Sequence, residues 1–135
     1  MAFPPMLIKS NMSMQSAIFL SLSKNEDYWN SSIHCSYYAV LQMMMHLLMD
    51  VKKPPLDISA LTEGADSHNK IKDKFLLEIN SPKERANFFN GFDYLKSMRV
   101  KADYKLQLFS QETCLDIKEK AEILRKKAQT FFKHG

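Results

Sequence analysis

Apolar residues recur along this chain at spacings of three and four, the period of a helix face, and almost nowhere in strict alternation. A first helix is predicted from Met6 to about Ser23, with Ala17, Leu20 and other apolar side chains supplying its face. Residues 1–5, with Pro4-Pro5, read as a frayed lead-in. Asn25 reads as an N-cap, with Glu26 and Asp27 placed to favour the positive end of the next helix. That second helix runs to Met49, carrying Trp29, Ile33, Tyr37, Val40, Met44 and Leu47 at helical spacing. Its second half is apolar nearly all round, which predicts a central helix packed on several sides.

Lys52-Lys53-Pro54-Pro55 ends the central helix. Residues 51–67 form the longest irregular stretch and read as a crossover loop, with one short helical turn at Ile58–Leu61. Ser67 can cap a third helix, His68–Ile79, striped by Ile71, Phe75 and Ile79. Ser81-Pro82-Lys83-Glu84 combines three start signals: a serine cap, a proline at the first helical position and a glutamate to complete a capping box. The fourth helix extends to about Ala102, with Gly91 inside it permitting a close neighbour. Residues 104–109 read as an extended connector. Ser110 then caps a fifth helix whose apolar positions are Cys114, Ile117, Ala121, Leu124, Ala128 and Phe131, with Gly135 just past its last turn. The expected fold is all-α: a single domain over residues 1–135, an up-and-down bundle of four to five helices.

Composition agrees with one globular core: 135 residues, 45% hydrophobic, 25% charged and only three glycines. The longest apolar run, Tyr37 to Met49, is interrupted by Gln42 and His46 and is too short to span a bilayer, so no membrane association is expected. No charged head precedes an apolar run at the N-terminus, so no signal peptide is expected and a cytoplasmic location is. The net charge of +4 permits contact with nucleic acid without demanding it. The last helix interleaves its lysines with Asp116, Glu119 and Glu122, as a solvated face does. Cys35 and Cys114 read as buried reduced thiols. Met43, Met44 and Met45 read as core filling rather than a metal site. No pair among the histidines and cysteines has zinc-ligand spacing, His134 being terminal, so no metal and no cofactor are expected.

The candidate chemistry sits where the fourth helix ends. Phe88, Phe92, Leu95, Arg99 and Ala102 step by four, three, four and three, which places Arg99 in an apolar stripe. A guanidinium there is costly unless paired, and Asp103, one turn on, can pair with it. Such a pair either orients a helix end or holds a ligand. His68 at a helix start beside Lys70 could contribute to a phosphate site, or be a surface cap residue. His34 and His46, about 120° apart around one helix, do not share a face.

Ser36-Tyr37-Tyr38-Ala39 before an apolar helix, His68-Asn69-Lys70 before another, and Arg99-Val100-Lys101-Ala102-Asp103-Tyr104 closing a later one together resemble the HEPN family (higher eukaryotes and prokaryotes nucleotide-binding). The last motif is similar to that family's branch with an Arg-x-x-Ala-Asp-Tyr pattern. The resemblance covers roughly residues 12–133. It implies a helical bundle that commonly dimerises. Many members are metal-independent ribonucleases, often toxins neutralised by a small nucleotidyltransferase. Their Arg-x4–6-His motif supplies a base for the 2′-hydroxyl proton and a cation for the charge developing on phosphate. This chain departs from that motif: Tyr104, Lys105 and Leu106 follow Arg99 at the required spacing, and neither Arg85 nor Arg125 has a histidine there.

The leading expectation is therefore a non-catalytic or weakly active HEPN-type module, a homodimer binding RNA, a nucleotide or a nucleotidyltransferase-like protein, of the kind found in toxin–antitoxin pairs. Arg99 would hold negative charge, oriented by Asp103 and Tyr104, with His68 and Lys70 nearby. The alternatives are a metal-independent endoribonuclease toxin, with Arg99 stabilising the transition state and His68 or Tyr104 handling protons, and a structural bundle dimerising through its methionine-rich helix.

Overall fold

The computed structural model describes residues 4–62, 64 and 66–132. Five α-helices account for most of them, and no strand occurs among the described residues. They are α1 (Pro5–Leu22), α2 (Trp29–His46), α3 (Ser67–Leu76), α4 (Pro82–Tyr104) and α5 (Gln111–Thr130). Residues 1–3 of the expected lead-in, His134 and Gly135 lie outside the described residues. Pro5 opens α1 rather than fraying, because a proline at the first helical position loses no hydrogen bond.

The central position of α2 holds: it packs against α1, α3, α4 and α5. Tyr37, Val40, Met43, Met44 and Leu48 are wholly buried. Met43 and Met44 thus cover this chain's own core, while Met45 and Met49 are half-buried. Two boundaries differ from expectation. Asn25 caps a 3-10 turn, Glu26–Tyr28, which feeds α2. At the far end α2 continues as a π turn, Leu47–Val51.

The largest correction concerns α1. Its buried face is Ser10, Met14, Ala17 and Ser21, while Ile8, Met12, Phe19 and Leu22 are exposed. The small residues let α1 lie close to α2, and Ser10 Oγ donates to Ala39 O at 2.6 Å. The crossover after Val51 contains a 3-10 turn at Ser59–Thr62, near the predicted Ile58–Leu61. Asp66, not Ser67, occupies the α3 N-cap position, and no side chain caps that helix. Ile79 lies beyond its C-terminus yet is buried.

In α4 the Ser81 Oγ accepts from the Glu84 N–H at 3.3 Å, as predicted. Glu84 does not complete a reciprocal box: its carboxylate accepts from Lys127 Nζ at 3.1 Å across the α4–α5 seam. Ser110 caps α5, accepting from the Thr113 N–H. The connector between α4 and α5 is pinned by Asn30 of α2. Its Nδ2 donates to Ala102 O and Gln107 O, and its Oδ1 accepts from the Phe109 N–H. This holds the C-terminus of α4 against α2 and fixes where Asp103 and Tyr104 emerge. Cys114 is buried and Cys35 half-buried; both are free thiols.

Candidate functional site

The α4 stripe buries Phe88, Phe92, Leu95 and Arg99 in one row. Arg99 keeps only 8% of its surface exposed. Its guanidinium lies 5.0 Å from the Tyr37 ring centre and 5.7 Å from both the Tyr38 and Tyr104 ring centres. Three aromatic faces around a cation give quadrupole attraction in place of water. They do not replace hydrogen bonds, and the fully buried Arg99 Nε has no hydrogen-bond partner among the described residues.

The predicted Arg99–Asp103 pair is present but loose, Nη1 to Oδ2 being 3.7 Å. The same Oδ2 is 2.7 Å from His34 Nδ1. Asp103 therefore bridges a histidine of α2 and an arginine of α4. No sequence spacing signals this bridge, since His34 and Asp103 are 69 positions apart.

Adjacent residues Tyr37 and Tyr38 divide as their positions on one helix require. Tyr37 is wholly buried and Tyr38 half-buried, with their rings edge to face at 5.2 Å. The Tyr37 hydroxyl and His68 Nδ1 are 2.9 Å apart. Burial pushes the Tyr37 hydroxyl up against the opposing influence of Arg99, so it keeps its proton. His68 is pushed below its ordinary value, first by burial and then by the charges of Arg99 and Lys96. A neutral imidazole that accepts from Tyr37 at Nδ1 carries its one proton on Nε2. In that state His68 is a donor and not a base.

These groups line a cleft of about 270 Å³ between the start of α3 and the end of α4. Tyr38 and Tyr104 flank it, Arg99 and Lys96 come from α4, and Asp66, Ser67, His68 and Asn69 come from the α3 N-terminus. Lys96 Nζ donates to Asn69 Oδ1 at 2.6 Å, and Asn69 Nδ2 donates to Asp66 Oδ1 at 2.7 Å, so the one carboxylate of the lining is engaged. The first turn of α3, where the Asp66 side chain makes no cap hydrogen bond, adds the positive helix end. Two cations, an imidazole N–H and a helix N-terminus converge, a set that suits an anion.

Of the residues singled out from sequence, Arg99, Tyr104 and His68 line the cleft, and Asp103 stands behind it. Lys70 does not line it; its side chain is exposed. Sequence reasoning missed Lys96, Tyr38 and His34 as site residues. Lys96 sits one turn before Arg99, a spacing that could have flagged it. Larger cavities along the α4–α5 groove are lined by Leu124 and Ile123, one of them with Lys83, Asn87 and Lys127 beside Glu84. Among the described residues no three of His, Cys, Asp and Glu converge as a metal site would need, and no helix is long and apolar enough to cross a membrane. Comparison with known proteins returned no matching family model, no matching curated protein and no matching solved structure.

Proposed function

We propose that the cleft between α3 and α4 binds phosphate, and that the chain is a binding module for RNA or a nucleotide of HEPN type. The observation that carries this reading is Arg99: a cation more than nine-tenths buried, at a cleft wall, with an unpartnered Nε. Leaving a buried donor of a charged group unmet costs on the order of 1–3 kcal/mol, so stability alone does not account for Arg99, which lines the cleft where a phosphate can meet its charge. The HEPN-type arrangement, a homodimer and a nucleotidyltransferase-like partner belong to the same reading and rest on the three sequence motifs. Fluorescence anisotropy with a short labelled single-stranded RNA tests it. The wild-type chain should bind, less tightly at higher salt, and Arg99→Ala should bind about 10- to 100-fold more weakly. Equal binding by the two proteins, or binding of neither the RNA nor a mononucleotide by either of them, overturns the reading.

A second reading, metal-independent RNA cleavage, is favoured by one specific arrangement. Asp103 orients His34 through Nδ1, which leaves Nε2 of a half-exposed imidazole directed elsewhere, beside Tyr38 at 4.6 Å between ring centres. His34 suits proton acceptance better than His68, whose Nδ1 is engaged, or Tyr104, a phenol. His34 Nε2 would take the 2′-hydroxyl proton, the O2′–P bond would form, and the P–O5′ bond would break. The 5′-oxygen would take a proton from solvent, leaving a 2′,3′-cyclic phosphate. This reading predicts cleavage in chelator that His34→Ala abolishes while RNA binding persists. Binding without turnover by the wild-type chain rejects it.

A further inference from the structure

Tyr38 and His68 wall the cleft at Arg99 on one side. A second cavity of about 240 Å³ opens on the other side of the same wall, because Tyr38, Ser67 and His68 line both spaces. The wall is thin: the Tyr38 and His68 rings meet edge to face at 5.7 Å. The chemistry changes across it. On the far side the surfaces are Met6 of α1, Leu41 and Met45 of α2, and Ile71 of α3. Polar groups come from Lys9, Gln42 and Thr62 as well as from the shared Ser67 and His68. The Gln42 amide is held in place, its nitrogen facing Tyr38 O at 3.1 Å and Lys9 O at 3.0 Å.

Small-molecule sites in proteins begin at about 300 Å³, a size that neither space reaches alone and that the two together pass. One side offers cationic donors. The other mixes apolar side chains, two of them thioethers suited to an aromatic ring, with polar groups. A nucleotide has this division: a charged phosphate at one end, and a base with apolar faces and polar edges at the other.

We infer that the two cavities form one bipartite site, with the phosphate of a single nucleotide at Arg99 and Lys96 and its base between Met45 and Ile71. The inference rests on the phosphate-binding reading of Arg99 and adds the base chamber to it. The nucleotide is either free or the phosphorylated end of a strand, since a space of about 240 Å³ receives one base rather than a continuous run.

Isothermal titration calorimetry of the full chain against a ladder of phosphates tests this: inorganic phosphate, ribose 5-phosphate, AMP, UMP and a 5′-phosphorylated oligoribonucleotide. At least one mononucleotide, or the oligonucleotide end, should bind about tenfold or more tightly than ribose 5-phosphate. Met45→Glu should remove that increment and leave ribose 5-phosphate binding unchanged. Should Met45→Glu fail to fold, Met6→Glu at the chamber mouth provides the same comparison. Nuclear Overhauser contacts from base protons to the Met45 methyl supply an independent readout in the wild-type chain. Tighter binding of AMP or UMP assigns the free nucleotide; tighter binding of the oligonucleotide alone assigns the strand end. Ribose 5-phosphate binding as tightly as every nucleotide, with Arg99 still required, overturns the base chamber alone. No Arg99-dependent binding of any phosphate overturns the phosphate site itself.

Discussion

The chain has three arginines, and two of them, Arg99 and Arg125, are drawn in from solvent in contrasting ways. Arg125 lies in the seam between α1 and α5. Its Nε donates to Ser10 Oγ at 2.9 Å and its Nη2 to Asn11 Oδ1. No carboxylate pairs with it among the described residues, and burial alone draws its proton affinity down. Its donors are nevertheless directed at protein oxygens. Arg99 is more deeply buried, has a loose carboxylate at 3.7 Å, and leaves Nε unmet beside an open cleft. Arg85 sides with Arg125: its Nε and Nη2 both donate to Ile79 O. The difference separates a guanidinium that ties helices together from one kept available. Burial alone does not distinguish them; hydrogen-bond satisfaction and an adjoining cavity do.

Substitutions can break that contrast or sharpen it. The largest effect expected is on binding at Arg99. Arg99→Ala should lower affinity for a phosphorylated RNA about 10- to 100-fold, and its loss of a buried side chain packed among three aromatic rings should also lower the midpoint of urea unfolding. A large loss of stability with unchanged binding would make Arg99 a structural tie like Arg125. Ser10→Ala tests the opposite member. It removes the group that accepts from Arg125 and donates to Ala39 O, so urea unfolding should show a loss of about 1–3 kcal/mol with RNA affinity unchanged.

A smaller effect separates the two regions by pH. His68 binds its proton less readily in the folded chain than its ordinary value of 6.5. The unfolded chain therefore takes up the proton first as pH falls. Stability should be full above about pH 6.5 and be lost as pH drops through the lower folded value. His68→Gln should flatten that stretch of the stability profile. Adding inorganic phosphate should move the His68 titration seen by NMR upward, because an anion in the cleft offsets Arg99 and Lys96; no movement would place the anion elsewhere. The smallest effect belongs to the α4–α5 seam. Glu84→Gln removes a pair whose side chains are 45% and 49% exposed, and should change stability by less than about 1 kcal/mol.

Much of the fold was legible because helices announce themselves locally. The three-four spacing of Phe88, Phe92, Leu95 and Arg99 is the buried row of α4, and Ser81 and Ser110 cap the helices they precede. Hydrophobicity misled at α1, where serines face the core and Phe19 and Leu22 face out. There close approach to α2 selects for small size, which periodicity of apolar residues does not register. At α3 the sequence offered Ser67 as a cap, and the backbone enters one residue earlier with no side chain capping it.

The site was legible in part and for a similar reason. Arg99 stood out because a cation broke an apolar stripe, and Tyr104 and His68 because they shared motifs with it. By itself, then, the sequence determined the helices, their buried rows and the one arginine out of register with its surroundings, since each depends on neighbours within a few turns. Tertiary structure alone decided that His34 meets Asp103, that Lys96 meets Asn69, and that Tyr38 and His68 form a wall between two chambers. Those contacts join different helices, and their geometry follows from how the helices pack, which no spacing along the chain encodes.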